Sequence, residues 1–154
     1  MFPHSSLLIV QVFSSLPENM RVGPLDVSHL DIVCDNWRHY DPEYRPVVQK
    51  MIELNPSFGV FVRNERGDEE LASMVVQSEY GGVGLLQTVP EHRRKGYASI
   101  ALAYQTKAIA KTGAMPHGHI LLWNEGSSLL FQKHGYKVLD VSTWVIMKKP
   151  DQEN

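Results

Sequence analysis

Cysteine is almost missing from this chain: Cys34 is the only one in 154 residues. A single thiol excludes an internal disulfide framework and suits a reducing, intracellular compartment. Leu30, Val33, Cys34 and Trp37 recur at helical spacing, so Cys34 reads as a small core residue rather than a nucleophile. No apolar run approaches the roughly 20 residues of a membrane span, so no membrane partner is expected. Met1 to Met20 contains no Lys or Arg, which argues against both a secretory signal and an arginine-rich transit peptide. A basic surplus is also missing. Fifteen Lys and Arg against 17 Asp and Glu leave a net charge of -2, so no nucleic-acid partner is expected.

What is present suits one globular domain. Hydrophobic residues make up 43% and charged residues 21%, enough apolar surface for a single core. Strand patterns occupy Leu7 to Phe13, Val22 to Leu25, Phe58 to Arg63, Leu71 to Gln77, Val83 to Val89 and His117 to Trp123, and Tyr136 to Met147 supplies one or two more. Ser28 with Asp31 forms a capping-box pattern, with Val27 and Ile32 as a staple, ahead of a helix to about His39. A second helix begins between Pro42 and Pro46, shows Val47, Val48, Met51 and Ile52 on one face, and stops at Asn55-Pro56. Asn64 to Asp68 reads as a hairpin turn, and Gly81-Gly82 as a bulge or a close backbone approach. A helix from Tyr97 to Lys111 ends at Gly113, and a short one from Glu125 to His134 is closed by Gly135. Strands with interspersed helices predict an α/β (α+β) sandwich around one mixed sheet.

The densest chemistry lies where the strand ending at Pro90 meets the helix after Gly96. Arg93, Arg94 and Lys95 share that turn, and Arg93-x-x-Gly96-x-Ala98 fits the pattern Gln/Arg-x-x-Gly-x-Gly/Ala. Free N–H groups at a helix start attract an anion, and Gly96 lets a phosphate reach the backbone. A second block follows the strand His117 to Trp123: Asn124-x-x-Ser127-x-x-Leu130-Phe131-x-Lys133-x-Gly135-Tyr136. Asn124 also reads as a plain helix N-cap. Seven histidines raise the question of a metal. His117-x-His119 places two on one strand face, but no third ligand at zinc-like spacing accompanies them, and no metal is expected. His29, His39 and His92 read as surface residues.

Together the two blocks resemble the GNAT acyltransferase superfamily, whose members move an acyl group from coenzyme A to an amine. A narrower resemblance runs through Arg21-Val22-Gly23-Pro24-Leu25, Trp37, Ile52-x-x-Asn55-Pro56-Ser57-Phe58 and Thr88-Val89-Pro90-Glu91-His92-Arg93. These segments are similar, in the same order, to the catalytic C-terminal half of the glycine N-acyltransferase family. Longer members of that family carry a further N-terminal half, where this chain has Met1 to Asn19.

The resemblance implies a mixed, mostly antiparallel sheet of about six to seven strands flanked by about four helices. Residues 1–19 would form an extension able to add a strand, 20–149 the acyltransferase domain and 150–154 a tail. It implies acyl-CoA or acetyl-CoA as co-substrate and a small amine such as glycine as acceptor. An acetyltransferase acting on another amine, an arylalkylamine or a protein, or a non-catalytic CoA-binding role stands as the alternative. Main-chain groups of Leu86, Gln87 and Thr88 would hold the pantetheine. The turn comprising Arg93, Arg94, Lys95, Gly96, Tyr97, Ala98 and Ser99 would hold the pyrophosphate, and Asn124 a pantetheine amide. Glu79, just before the glycine pair, is the candidate general base, and a surface charge in a turn otherwise. Many members have a Tyr proton donor where Phe131 stands. Tyr97, Tyr104 and Tyr80 are substitutes, although a thiolate also leaves without help. The expected location is cytoplasmic, with mitochondrial as the family's alternative.

Overall fold

A computed structural model describes residues 16–144, so the expected strand over 7–13 lies outside the described residues. Strand β1, Met20–Pro24, is followed by a capping box. Asp26 Oδ1 accepts from the Ser28 N–H at 2.8 Å, and the Asp26 N–H donates to His29 Nδ1 at 3.1 Å. The box starts a 3-10 turn, Val27–His29, that runs into helix α1, Leu30–Asn36. It lies two residues before the expected Ser28–Asp31 pair, because a histidine ring supplies the return bond usually made by Glu or Gln. Val27 stays exposed instead of stapling Ile32, and α1 ends at Asn36, short of His39. Helix α2, Arg45–Leu54, carries Pro46 in its first turn, where a missing N–H costs nothing.

Strands β2, Ser57–Arg63, and β3, Glu69–Val76, form the expected hairpin. Asn64 closes it by accepting the N–H groups of Arg66 and Asp68 on its side chain at 2.9 and 3.0 Å. Strand β4, Gln87–Thr88, pairs with β3 through Ser73–Thr88 and Met74–Gln87. The sheet order is β1-β2-β3-β4, antiparallel throughout. Helix α3, Tyr97–Lys111, and helix α4, Glu125–Lys133, complete the elements.

Both faces of the sheet are covered. Phe61, Met74 and Val76 pack with Leu30, Val33, Cys34, Val48, Met51 and Ile52 beneath α1 and α2. Val60 and Val75 face the other way, onto Ala101, Leu102, Ile109 and Phe131 of α3 and α4. Double coverage explains why residues 72–76 of β3 are buried without alternation. Cys34 lies in the first cluster, and burial pushes its thiol pKa up, as befits a core residue. The inward face of α3 also buries Gln105 and Thr106. Thr106 Oγ1 donates to Leu102 O at 2.7 Å and lies 2.7 Å from the Tyr136 hydroxyl.

The described sheet has four strands, where six to seven are expected. The region over 117–123 contributes one bridge, Val83–Gly118, and residues 136–144 contribute no strand. Residues 145–147 of the last expected strand lie outside the described residues. The physical reason is pairing. Apolar alternation signals a strand only when a neighbouring edge satisfies its amides. Leu122, Trp123, Val138, Leu139 and Val141 instead stand exposed. Among the described residues no helix is long and apolar enough to cross a membrane.

Candidate active site

The site grows from a slip in pairing. Between Met74–Gln87 and Gln77–Val83 the register shifts by one residue. The extra residue is absorbed in a bulge: Gly84 N–H donates to Val76 O at 2.9 Å, Val76 N–H to Leu85 O at 3.3 Å, and Leu86 N–H back to Gly84 O at 2.8 Å. The Leu85 N–H meets no acceptor among the described residues. This reduces the expected strand over 83–89 to β4 and the bridge at Val83. Gly84 is required there, since a Cβ would lie 2.7 Å from the Val76 carbonyl oxygen.

Val83 then makes the one parallel bridge to Gly118, its N–H donating to His117 O at 2.7 Å. Beyond it the two segments share no further pairing, so among the described residues β4 is an open edge. Gln87 pairs with Met74, and the Val89 N–H donates to Ala72 O at 3.0 Å. Strand alternation therefore turns the peptide groups of Thr88 toward the open edge. Of the three expected pantetheine-holding residues, Thr88 faces the cleft, Gln87 lies in the ladder, and the Leu86 N–H is taken by the bulge.

The basic turn closes the other end of this edge. A 3-10 turn, Pro90–His92, leads to Arg94 at φ 63° and Gly96 at φ 83°, and α3 starts at Tyr97. Two left-handed residues so close together fold the chain into a concave run of N–H groups, a nest suited to an anion. The N–H groups of residues 94–98 donate to no backbone acceptor among the described residues, and no side chain caps α3. Arg93 Nε donates to Thr88 O at 3.2 Å and Lys95 Nζ to Glu91 O at 3.2 Å, so both cations are anchored beside the nest. Arg94 and Gly96 are exposed, and Ala98 and Ser99 are half-buried in the first turn of α3.

Residues 57–145 match the family model described as FR47-like protein. The chain belongs to the FR47-like family. Its fold recurs in solved structures. A Drosophila protein superposes with a TM-score of 0.68 at 24% identity, covering 80% of this chain. The FR47-like chain spans 41% of that protein's length. A GCN5-related N-acetyltransferase from Ralstonia eutropha matches with a TM-score of 0.62 at 17% identity, over 82% of this chain and 98% of its own. AAC(6')-Iy, solved with the bisubstrate analogue CoA-S-monomethyl-acetylneamine, matches with a TM-score of 0.63 at 13% identity, over 84% and 99%. No curated protein sequence matches the chain. The fold of this FR47-like protein is thus the mixed GNAT fold, with an antiparallel sheet and four helices.

Asn124 caps α4, its Oδ1 accepting from the Ser127 N–H at 3.1 Å, which leaves its Nδ2 for a ligand. Glu79 is exposed in the turn between β3 and the bulge. Phe131 is buried, its ring 4.8 Å from that of Tyr136, and the Tyr136 hydroxyl is engaged with Thr106. Tyr104 packs near Phe58 on α3, with ring centroids 6.0 Å apart. His92 is not a free surface residue, since its Nε2 lies 3.0 Å from the Glu70 carboxylate. Among the described residues no group of three His, Cys, Asp or Glu is placed to hold a metal.

Sequence reasoning passed over His134. Its Nε2 lies 2.6 Å from Ser99 Oγ, tying the end of α4 to the first turn of α3 behind the nest. Only the three-dimensional meeting of these helices reveals the pair. Burial first, then the charge of Lys133, holds the His134 imidazole pKa below the usual histidine range. The unfolded chain therefore binds a proton that the folded chain resists. Stability is full above a pH of about 6.5, the ordinary histidine pKa, and declines as pH falls below it. His134→Gln is expected to flatten the fall in Tm between about pH 7.5 and 5.5, as read by thermal melts across that range.

Proposed function

We propose that this protein is an acyl-CoA-dependent N-acyltransferase acting by direct attack in a ternary complex. One observation carries the reading: the open, bulged edge of β4 runs straight into a nest of unpaired N–H groups flanked by anchored cations. A ligand with a diphosphate at one end and an amide-bearing arm fits that sequence of surfaces, and coenzyme A is such a ligand. The residues for the arm are Thr88, the Nδ2 of Asn124, the Leu86 carbonyl, and the Gln87 side-chain amide, whose atoms meet no partner among the described residues. Those for the diphosphate are Arg93 to Ser99.

In the reaction the amine nitrogen bonds to the thioester carbonyl carbon and the C–S bond breaks. Charge collects on the carbonyl oxygen, where the unpaired Leu85 N–H in the bulge is the available donor. Glu79 takes the amine proton, directly or through water. Phe131 has no proton to give, so the thiolate leaves on its own acidity and is protonated by solvent. The acceptor is an amino acid such as glycine or another small amine.

The test measures coenzyme A binding and free thiol release from acetyl-CoA and benzoyl-CoA with a panel of amines. Binding with amine-dependent release is expected. Tight binding without release for any amine would identify a CoA-binding module, which the buried Phe131 favours as the second reading. Absence of binding would overturn both.

A further inference from the structure

Resting on the acyltransferase reading, we infer that the acceptor site is an aromatic cage formed by Tyr80, His119 and Trp144, and that it takes a small aromatic monoamine. The three rings meet at the bulge end of the cleft, opposite the nest. Tyr80 and His119 stand edge to face with centroids 4.8 Å apart, His119 and Trp144 at 5.5 Å, and Tyr80 and Trp144 at 6.2 Å. His117 approaches Tyr80 at 6.0 Å, so both histidines of His117-x-His119 face the same ring. His119 directly follows Gly118, the residue bridged to Val83, and Tyr80 lies in the turn before it. The cage therefore opens beside the stretch where a thioester carbonyl would sit.

Its chemistry is selective. The three rings, with Ser142 and Thr143, line an open depression of about 220 Å³. That is below the roughly 300–1,000 Å³ of pockets for drug-sized ligands, and it suits one ring with a short amine arm. Tyr80 is 37% exposed and Trp144 61% exposed, so part of each ring is open to a ligand. Ring faces attract an ammonium group or stack on another ring. Among the described residues no Lys or Arg lines the depression to pair the carboxylate of glycine, and no Asp or Glu lines it to neutralise a polycationic amino sugar. Glu79, adjacent to Tyr80, is left for the single amine being deprotonated.

The experiment separates this inference from the reading beneath it. Equilibrium binding of 2-phenylethylamine, glycine and neamine is measured calorimetrically on the full chain, alongside coenzyme A affinity and thiol release. Phenylethylamine is expected to bind at least about tenfold more tightly than glycine or neamine. Tyr80→Ala and Trp144→Ala should each weaken it about fivefold to tenfold, the range of a partly exposed ring–ammonium contact with its packing. Tyr80→Phe and Trp144→Phe should retain it within about threefold, and coenzyme A affinity should be unchanged in all four, which shows that they fold. Equal binding of the three amines, or phenylethylamine binding unmoved by both alanine variants, overturns the cage. Absence of coenzyme A binding, or of thiol release with every amine, overturns the acyltransferase reading instead, whatever the cage does.

Discussion

Gly96→Glu is expected to lower coenzyme A affinity about 100-fold. Gly96 sits at φ 83°, and a Cβ there would meet nothing within 4 Å, so the position is sterically open but conformationally restricted. Any side chain costs about 1 kcal/mol of stability through the left-handed backbone. A glutamate adds a carboxylate above the N–H groups of the nest. Placed about 6 Å from a phosphate charge at an effective dielectric of about 20, it repels by nearly 3 kcal/mol, about two orders of magnitude in affinity. Gly96→Ala carries the same backbone cost without the charge and should stay within about tenfold of wild type. Titration calorimetry of both variants separates strain from electrostatics, and raised salt should narrow the gap between them. Wild-type affinity in Gly96→Glu would mean that the turn does not hold the diphosphate.

Gly84→Ala is expected to cost about 1–3 kcal/mol of stability and to slow thiol release at least about tenfold, with coenzyme A affinity changed far less. The added methyl would lie 2.7 Å from the Val76 carbonyl oxygen, a backbone atom that cannot rotate away. The strand must retreat, and with it the bulge that leaves the Leu85 N–H unpaired and opens the β4 edge. The nest lies more than ten residues further along the chain on its own turn, so binding of the diphosphate is preserved. Chemical denaturation gives the stability change, and single-turnover thiol release gives the rate. A variant that turns over at the wild-type rate would show that the bulge is not where the carbonyl is held.

Much of the architecture was legible because it is written in local rules. The β2–β3 hairpin follows from two apolar runs around Asn64-Glu65-Arg66-Gly67-Asp68, and Asn64 performs the turn chemistry its side chain allows. The end of α2 before Pro56 and the start of α3 after Gly96 follow from proline and glycine stereochemistry. The basic turn ahead of α3 was visible because its cationic residues and glycine are contiguous. Helix α1 was misread at its cap, because a histidine made the return bond and histidine is not part of the usual pattern. Among the described residues the sheet has fewer strands than expected for a different reason. Apolar alternation over 117–123 and 136–144 carries no information on whether an edge is near enough to pair.

By itself the sequence determined the elements whose signals lie within a few residues and the basic, glycine-bearing turn ahead of a long helix. The tertiary structure alone decided what those pieces do together. The register slip that frees Leu85 depends on where Val76 meets Gly84 across the hairpin. The Ser99–His134 contact depends on how the start of α3 and the end of α4, 35 residues apart at that contact, converge. The meeting of Tyr80, His119 and Trp144 joins a turn, a diverging segment and the end of the described chain. The last two are contacts between residues distant in sequence, set by chain closure and packing rather than by local preference, and the candidate acceptor site is made entirely of such contacts.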